Sequence, residues 1–507
     1  MPSSPSTAPR FSLSSGWIAA AGGLIALAHA PPFFHRLDDS DEAIYASIAA
    51  LVNQGGALYA DGGVDNKPPG IFWVYAAIFR IFGTYQMTAI HVVALLVIAT
   101  TCLLLYLAGR QVSKPRAGLL AAVLYGVLTA QGNPGLLAAN AEAFMMLPLT
   151  ASVLMMLRRQ WLWAGALLVA AIAFKQVAAA NLLLLPVALF LLEPEHTRLR
   201  AALMFAGGLS AGLLVGAAIL ELTSSLAGFW HWAVGSLYGQ ASLNWRPDQL
   251  WFRARYSLPY FLGGTAVVWV AALAFGSGWK RLRPNERVLV AWLPVSVVGA
   301  VAGGHLFYHY FIQVIGPLAL LAGIAIDRWL EASARAQRPN FLSRRWIAGA
   351  IVVGVGVPSV AWGAYDLVAD PLTYDVAPPV PQHAQVAAYI KANSRPEDRI
   401  FVWGDSPNLY VESDRLMASR FPGFLRGFAR GSGLPPNNWD TAPDVWPELH
   451  TDLARNPPAL IVDTAAAGWS DFAMYPMRNY PVLQDLVSTE YHLVAVVDGV
   501  AIYGRNR

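Results

Sequence analysis

The stretch Asp38-Asp39-Ser40-Asp41-Glu42-Ala43-Ile44-Tyr45 is followed further along the chain by Asp65-Asn66-Lys67-Pro68-Pro69-Gly70. Both lie in one loop between apolar segments, in a chain in which 13% of the residues are charged. Charged groups beside a membrane are energetically costly and usually mark a functional site. We therefore place the chemistry of this protein in that loop.

The composition indicates a membrane protein that crosses the bilayer several times. Of the 507 residues, 56% are hydrophobic and 18 are tryptophan, and the mean hydropathy is +0.44, which is outside the range of soluble globular proteins. The single cysteine, Cys102, excludes a disulfide within the chain. Lysine and arginine fall in short loops at alternate ends of the apolar segments, which is typical of the positive-inside rule and not of nucleic-acid binding.

The apolar segments predict a polytopic α-helical membrane protein with about eleven transmembrane helices, since ~20 residues cross a bilayer. The segments are 16–34, 86–108, 117–131, 139–157, 161–174, 176–193, 201–222, 258–276, 287–303, 306–326 and 346–365. We expect the first to be retained and not removed as a signal peptide. With a cytoplasmic N-terminus, the loop 35–70 lies on the outer side. Residues 41–52 and 71–82 are expected to form juxtamembrane helices in this first outer loop and directly after it.

The composition changes after about residue 378, where Pro378-Pro379-Val380-Pro381 forms a linker. Beyond it, strand-like runs alternate with helical patterns, and Asp498-Gly499 predicts a hairpin turn. We therefore divide the chain into a transmembrane domain, 1–377, and a small extracytoplasmic α/β domain, 378–507.

Asp41 and Glu42 are the candidate catalytic carboxylates. A carboxylate next to an apolar surface is suited to act as general base toward an acceptor hydroxyl, and Asp41 is the first choice for this role. The alternative is that these acids only cap a helix or interact with its dipole.

Two lysines are candidate phosphate ligands. Lys67 lies beside two prolines that fix the backbone, and a cation at the bilayer edge suits a phosphate leaving group; the alternative is a lysine that extends into the headgroups as an anchor. Lys175, next to Gln176, lies on the predicted outer face against the positive-inside trend. A phosphate partner explains its position, and an interfacial anchor is the alternative.

Other polar residues are predicted at the same outer face. Glu142 begins a predicted span and either caps it or joins the site. His305 and His309 either bond to the backbone, bind a phosphate, or hold a metal together with Glu142 or Asp65. Arginines 246, 253 and 255 accompany several tryptophans, which suits an aromatic belt as well as sugar and phosphate contact. The sequence contains no Walker loop, HExxH or GxSxG motif.

Four motifs occur in an order that resembles a known family: Asp41-Glu42 with Tyr45-Ala46, Lys67-Pro68-Pro69, Phe174-Lys175-Gln176, and His309-Tyr310-Phe311. Residues 15–365 resemble the polyprenyl-phosphate-sugar-dependent glycosyltransferases of the GT-C fold. This family 39-like group holds the protein O-mannosyltransferases and the lipid A aminoarabinose transferase. The C-terminal segment resembles the short soluble domain of bacterial members.

The resemblance implies a role for particular residues. Asp41 acts as base or orients the acceptor, and Lys67 contacts the donor phosphate. Relatives commonly have a glutamate before this lysine, whereas this chain has Asn66, so a metal-binding role does not carry over to that position. A divalent metal remains a candidate cofactor, with no metal ligands assigned.

The resulting hypothesis is an integral-membrane glycosyltransferase that moves a sugar from a polyprenyl-phosphate donor to an acceptor hydroxyl with inversion. The alternative is a lipid-linked sugar transporter or flippase, whose charges are expected near the bilayer midplane. The expected partners are the lipid-linked donor, a glycolipid, polysaccharide or protein acceptor, and membrane lipids, without nucleic acid. The expected location is the bacterial inner membrane, with the C-terminal domain in the periplasm. The predicted donor-phosphate ligands are Lys67, Lys175, His309 and Tyr310, and the predicted cavity residues are Tyr45, Asp65, Asn66, Glu142, Gln176, His305, Arg253 and Arg255.

Overall fold

The computed structural model describes residues 15–131, 136–235, 245–335, 349, 351–359, 361, 383–423 and 445–506. Helices make up nearly all of the part before residue 336. They are α1 (Ser15–Ala28), α2 (Ser40–Asn53), α3 (Gly70–Phe82), α4 (Met87–Val112), α5 (Pro115–Leu128), α6 (Ala141–Leu157), α7 (Trp161–Ile172), α8 (Leu184–Leu192), α9 (Glu195–Thr223), α10 (Pro247–Gly276), α11 (Pro284–Val301) and α12 (Ile312–Arg335). The 3-10 helices Gln176–Leu183 and Tyr308–Phe311 lead directly into α8 and α12.

The first ten predicted apolar segments coincide with helices, and the helices predicted over 41–52 and 71–82 are present as α2 and α3. Of the eleventh segment, 346–365, the structure describes residues 349, 351–359 and 361, and these residues are helical. Within the described ranges, four helices are long and apolar enough to cross a membrane: Met87–Val112, Glu195–Thr223, Ser257–Gly276 and Tyr308–Arg335. Six shorter apolar helices accompany them: Gly16–Ala28, Gly70–Phe82, Pro115–Leu128, Ala141–Leu157, Trp161–Ile172 and Gln176–Leu192.

The helix α12 forms the centre of the bundle. Its apolar stretch is 94% buried, and it packs against α5, α10 and α11. Gly323 makes the contact with α5 close, since a Cβ atom there would lie 2.8 Å from the carbonyl oxygen of Ala117. Because α12 is held on several sides, the residues that directly precede it, His309 and Tyr310, have a fixed position at one end of the bundle.

The start of α3 is attached to the turn after α7. The amide of Gly70 donates to the carbonyl of Ala173 at 2.7 Å, and a Cβ atom at Gly70 would lie 2.6 Å from that oxygen. Only glycine allows this approach. The contact brings the loop that ends in Lys67 beside the turn that contains Lys175.

The C-terminal part is a five-stranded mixed sheet with helices, as the sequence predicts. Its elements are α13 (His383–Ala392), α14 (Asn408–Ser413), α15 (Val445–Arg455), α16 (Pro481–Glu490), β1 (Arg399–Trp403), β2 (Leu416–Met417), β3 (Leu460–Asp463), β4 (Tyr491–Val497) and β5 (Val500–Arg505). The strand order is β2-β1-β3-β5-β4, with β2, β1 and β3 parallel and β5 antiparallel to both neighbours. Asp498 and Gly499 form the β4–β5 turn with φ of 51° and 83°, as expected for a tight hairpin. The predicted domain boundary at 377/378 lies outside the described residues.

The C-terminal sheet domain packs directly on the first loop. The amide of Val64 donates to the carbonyl of Arg420 at 3.0 Å, and the hydroxyl of Tyr85 donates to the carbonyl of Arg415 at 3.1 Å. One hydrophobic core continues from α2 into the sheet. The domain therefore supports the loop that contains Lys67.

Candidate active site

Three acidic residues at the start of α2 occupy different positions. Asp39 is the N-cap, and its carboxylate accepts from the amide of Asp41 at 3.0 Å. Because Asp39 satisfies the helix end, capping does not account for Asp41. Asp41 and Glu42 instead lie in the first turn, where successive side chains point in directions about 100° apart.

Asp41 faces Lys67. The Lys67 ammonium lies 3.4 Å from one Asp41 oxygen and 3.7 Å from Asp65, while the Tyr45 hydroxyl donates to the other Asp41 oxygen at 3.2 Å. The same ammonium lies 5.1 Å from the centre of the Tyr45 ring. Lys67 and Asp41 are therefore in direct contact. Only 11% of the Lys67 side chain is exposed, whereas a lysine that extends into lipid headgroups would be largely exposed.

The pKa values of Lys67 and Asp65 depend on the charges of their neighbours. Burial alone would lower the pKa of Lys67, but the neighbouring carboxylates of Asp41 and Asp65 outweigh burial, and the pKa is raised. Burial raises the pKa of Asp65, and Asp41 contributes in the same direction, while Lys67 opposes the change. Lys67 consequently remains a cation at any physiological pH.

A second ion pair lies beside the first. The Lys175 ammonium contacts the Glu142 carboxylate and sits 3.7 Å from the centre of the Tyr310 ring. His309 lies between two acids, with its nitrogens 3.7 Å from Glu142 and 3.9 Å from Asp39. Residues from α2, α6, the turn after α7 and the start of α12 thus meet at one end of the bundle.

The remaining predicted residues are distributed around this centre. The Gln176 amide donates to the carbonyl of Asn66 at 3.3 Å, which places both next to Lys67. His305 packs against Tyr310, with ring centres 6.1 Å apart. Arg253 donates to the carbonyl of Gly304 at 3.1 Å and so lies near the site. Arg255 is exposed, and its guanidinium lies 4.9 Å from the centre of the Phe252 ring.

Glu42 shares no partner with Asp41 among these contacts. One oxygen accepts from the amide of Ala139 at 2.6 Å and lies 3.2 Å from the His91 Nε2, and the other accepts from the amide of Asp38 at 2.8 Å. The sequence analysis missed His91, and its only signal is a histidine within the otherwise apolar α4. It also assigned no role to Asp39, whose carboxylate accepts from the Asn140 amide at 2.9 Å.

The described residues also enclose an apolar cavity of about 310 Å³. Among its lining residues are Leu128, Phe261, Tyr308 and Ile315, and Tyr308 is the neighbour of His309 in sequence. Cations beside an apolar cavity can hold the phosphate and the hydrocarbon of one lipid, and a carboxylate next to them can take a proton from a hydroxyl.

Comparisons with known proteins give one family match and several similar folds. Residues 66–234 match the family model for dolichyl-phosphate-mannose-protein mannosyltransferase. The fold is similar to that of ArnT from Cupriavidus metallidurans bound to undecaprenyl phosphate, with a TM-score of 0.63 and 15% identity over 97% of this chain and 98% of that chain. It is also similar to the oligosaccharyltransferase AglB from Archaeoglobus fulgidus, in complex with an inhibitory peptide and a dolichol-phosphate. There the TM-score is 0.51 and the identity 12%, over 97% of this chain and 74% of that chain.

A search among curated proteins finds no match to the sequence. The family model and the two similar folds confirm the resemblance predicted from the motifs. In architecture, the chain is a membrane protein of the GT-C fold, as in ArnT and AglB, with a small C-terminal sheet domain packed against its first loop.

Proposed function

We propose that this protein is an integral-membrane glycosyltransferase that transfers a sugar from a polyprenyl-phosphate donor to an acceptor hydroxyl. The observation that carries the proposal is the contact of Lys67 with Asp41, with the Lys175–Glu142 pair and His309 beside it. A leaving phosphate needs cations, and an attacking hydroxyl needs a base. Both kinds of group are present within one cluster.

The proposed reaction is a single displacement at the anomeric carbon. The acceptor oxygen forms a bond to that carbon while its proton passes to the Asp41 carboxylate. The bond between the carbon and the phosphate oxygen breaks, and its electron pair leaves with the polyprenyl phosphate beside Lys67 and Lys175. Attack from the side opposite the leaving group inverts the anomeric centre.

The resting ion pairs connect donor binding to activation of the base. Without donor, Asp41 shares the charge of Lys67 at 3.4 Å. A phosphate that binds Lys67 competes with Asp41 for the ammonium, and a weaker contact with this cation increases the proton affinity of the Asp41 carboxylate. The part of the polyprenyl tail nearest the phosphate is expected in the apolar cavity lined by Phe261 and Tyr308, since Tyr308 precedes His309 in sequence.

The transporter alternative has less support. A transporter binds its cargo near the middle of its helices, whereas these charged residues sit at helix ends: the first turns of α2 and α6, the turn after α7 and the start of α12. The solved structures of similar fold include an oligosaccharyltransferase, and the matching family model is that of a mannosyltransferase.

The proposed orientation places the active site and the sheet domain on the periplasmic side of the inner membrane. Basic residues at the other end of the bundle support it. There Arg116 contacts Asp327, Lys114 contacts Glu331, and Arg283 pairs with Glu286. Basic residues in short loops favour the cytoplasmic side.

Gene deletion tests the proposed function. The masses of envelope glycolipids, polysaccharides and glycoproteins are compared between the parent strain and the deletion strain. A product that lacks one hexose, pentose or amino sugar identifies the sugar and the acceptor together. Complementation with Asp41→Asn or Lys67→Met should not restore the product, whereas Asp485→Asn and Lys280→Met, which change exposed residues elsewhere, should restore it.

Two results would contradict the proposal. Restoration of the product by Asp41→Asn would remove Asp41 as the base. Accumulation of unmodified lipid-linked sugar on the cytoplasmic side only would instead indicate a flippase, since a transferase defect leaves donor on the side where transfer occurs.

A further inference from the structure

A buried group of three metal-ligating side chains lies behind the proposed active site. Asp38, Glu42 and His91 each place one ligand atom within 4.8 Å of the others. Their exposures are 4%, 0% and 3%. In the part of the chain that the structure describes, this is the one group of three or more such residues with this geometry.

The charges of the three side chains favour a bound cation. Two carboxylates with one imidazole carry net negative charge whether or not the imidazole is protonated. A buried carboxylate is unfavourable unless cations or hydrogen-bond donors compensate its charge. A divalent cation would balance both carboxylates and leave the imidazole neutral, which is the form that ligates metals.

The separation of His91 and Glu42 fits a zinc-type site. Zinc binds imidazole nitrogen and carboxylate oxygen at about 2.0–2.2 Å in tetrahedral geometry, so two of its ligands lie roughly 3.3 Å apart. The His91 Nε2 and the Glu42 oxygen are 3.2 Å apart. The amides of Ala139 and Asp38 donate to the Glu42 carboxylate and fix its orientation, as outer hydrogen bonds do for metal ligands.

We propose that Asp38, Glu42 and His91 bind one divalent metal ion of the zinc class. Such an ion would join three segments: the loop before α2, the first turn of α2 and the start of α4. Because Glu42 is next to Asp41 in that turn, the metal would hold the helix that carries the proposed base. Its role would be to position α2, and binding itself does not depend on the proposed transferase activity.

Metal content tests the proposal directly. The full-length protein in detergent is stripped with EDTA, equilibrated with zinc chloride, freed of unbound ion and measured for zinc by mass spectrometry. The expected result is one zinc per chain. His91→Gln should lower the affinity by about tenfold or more, although a glutamine amide can still donate to Glu42. His29→Gln is the matched control, since His29 is another buried histidine, 3.0 Å from the Gly126 carbonyl, and it should leave zinc binding unchanged.

The glutamine variant separates a metal site from a hydrogen-bonded contact without metal. Size-exclusion elution and thermal melting verify that each variant is folded. Glu42→Gln and Asp38→Asn, if folded, should also lose zinc. Equal zinc affinity of the wild type and His91→Gln, or no zinc in the wild type at saturating concentration, would overturn the proposal. A wild-type melting temperature that zinc raises and EDTA lowers, with no such change in His91→Gln, would support it.

Discussion

Replacement of Arg420 by methionine should loosen both the C-terminal sheet domain and the loop that holds Lys67. The Arg420 guanidinium donates to both oxygens of Asp452, at 2.9 and 2.8 Å, and lies 2.7 Å from Glu448. Arg420 and Asp452 are 8% and 3% exposed. Methionine keeps the aliphatic length of the side chain but leaves the Asp452 carboxylate buried without its cation.

The size of the effect follows from this burial. Removal of one partner of a buried ion pair costs roughly 3–5 kcal/mol, and we expect the lower end, about 3 kcal/mol, because Glu448 is 43% exposed. Since 1.4 kcal/mol is about tenfold in an equilibrium constant, α15 should open roughly a hundredfold more often. The amide of Val64 donates to the Arg420 carbonyl, so its protection should fall as well.

Hydrogen exchange of the full-length protein measures both changes. Peptides that cover 445–455 and 57–67 should exchange faster in Arg420→Met, while peptides from α12 should not change. The control is Arg505→Met in the same domain, because Arg505 and Glu490 are about half exposed and 3.6 Å apart. A surface pair of this kind contributes about 0–1 kcal/mol. Equal exchange in the two variants would refute the reasoning, and unchanged exchange at 57–67 alone would refute the coupling between the domain and the loop.

Two further predictions concern single positions. Gly70→Ala should lower the melting temperature and the rate of sugar transfer, because the new Cβ atom would lie 2.6 Å from the Ala173 carbonyl oxygen. The control is Gly216→Ala, whose Cβ atom would have nothing within 4 Å and which should be neutral or stabilising by up to about 1 kcal/mol. Equal melting temperatures of the two variants would contradict this prediction. Burial raises the pKa of Asp463 from 3.8 to about 6, so the Asp463 carboxyl binds its proton more tightly in the folded domain than in the unfolded chain. The protonated carboxyl therefore contributes stability that is present below pH 4 and is lost as the pH rises to about 6. At roughly 1.4 kcal/mol per pKa unit, ionised Asp463 costs about 3 kcal/mol at pH 7. Asp463→Asn should therefore raise the denaturation midpoint at pH 7 and not at pH 4, and a shift of equal size at both pH values, or the same shift in Asp485→Asn, would contradict the prediction.

The sequence predicted the elements of this fold because its signals are local. Apolar segments became helices, and the runs around Ile400, Ile461 and Val496 became strands of one sheet. It did not predict that the sheet domain packs on α2 and on the loop after it. One part of this contact is a hydrophobic core whose α2 and sheet residues lie far apart in the sequence, and another joins two backbone groups, the Val64 amide and the Arg420 carbonyl. The division of the apolar stretch 161–193 into α7, a 3-10 segment and α8 was expected only in part. Two spans were predicted there, but not the 3-10 geometry that follows Lys175.

The roles of the acids in the first loop show where sequence reasoning ends. Proximity in sequence suggested that Asp41 and Glu42 act together. On a helix, however, neighbours differ by about 100° in direction, so Asp41 faces Lys67 while Glu42 contacts His91 and the Ala139 amide. Asp39, two residues before Asp41, is the N-cap of α2, and its side chain accepts from the Asp41 amide at the helix end. A run of carboxylates that composition presents as one feature is therefore divided by helix geometry into a cap, a candidate base and a candidate metal ligand. The Asp39 cap and the buried contacts of Glu42 fix the first turn of α2, and Asp41 reaches Lys67 from that turn.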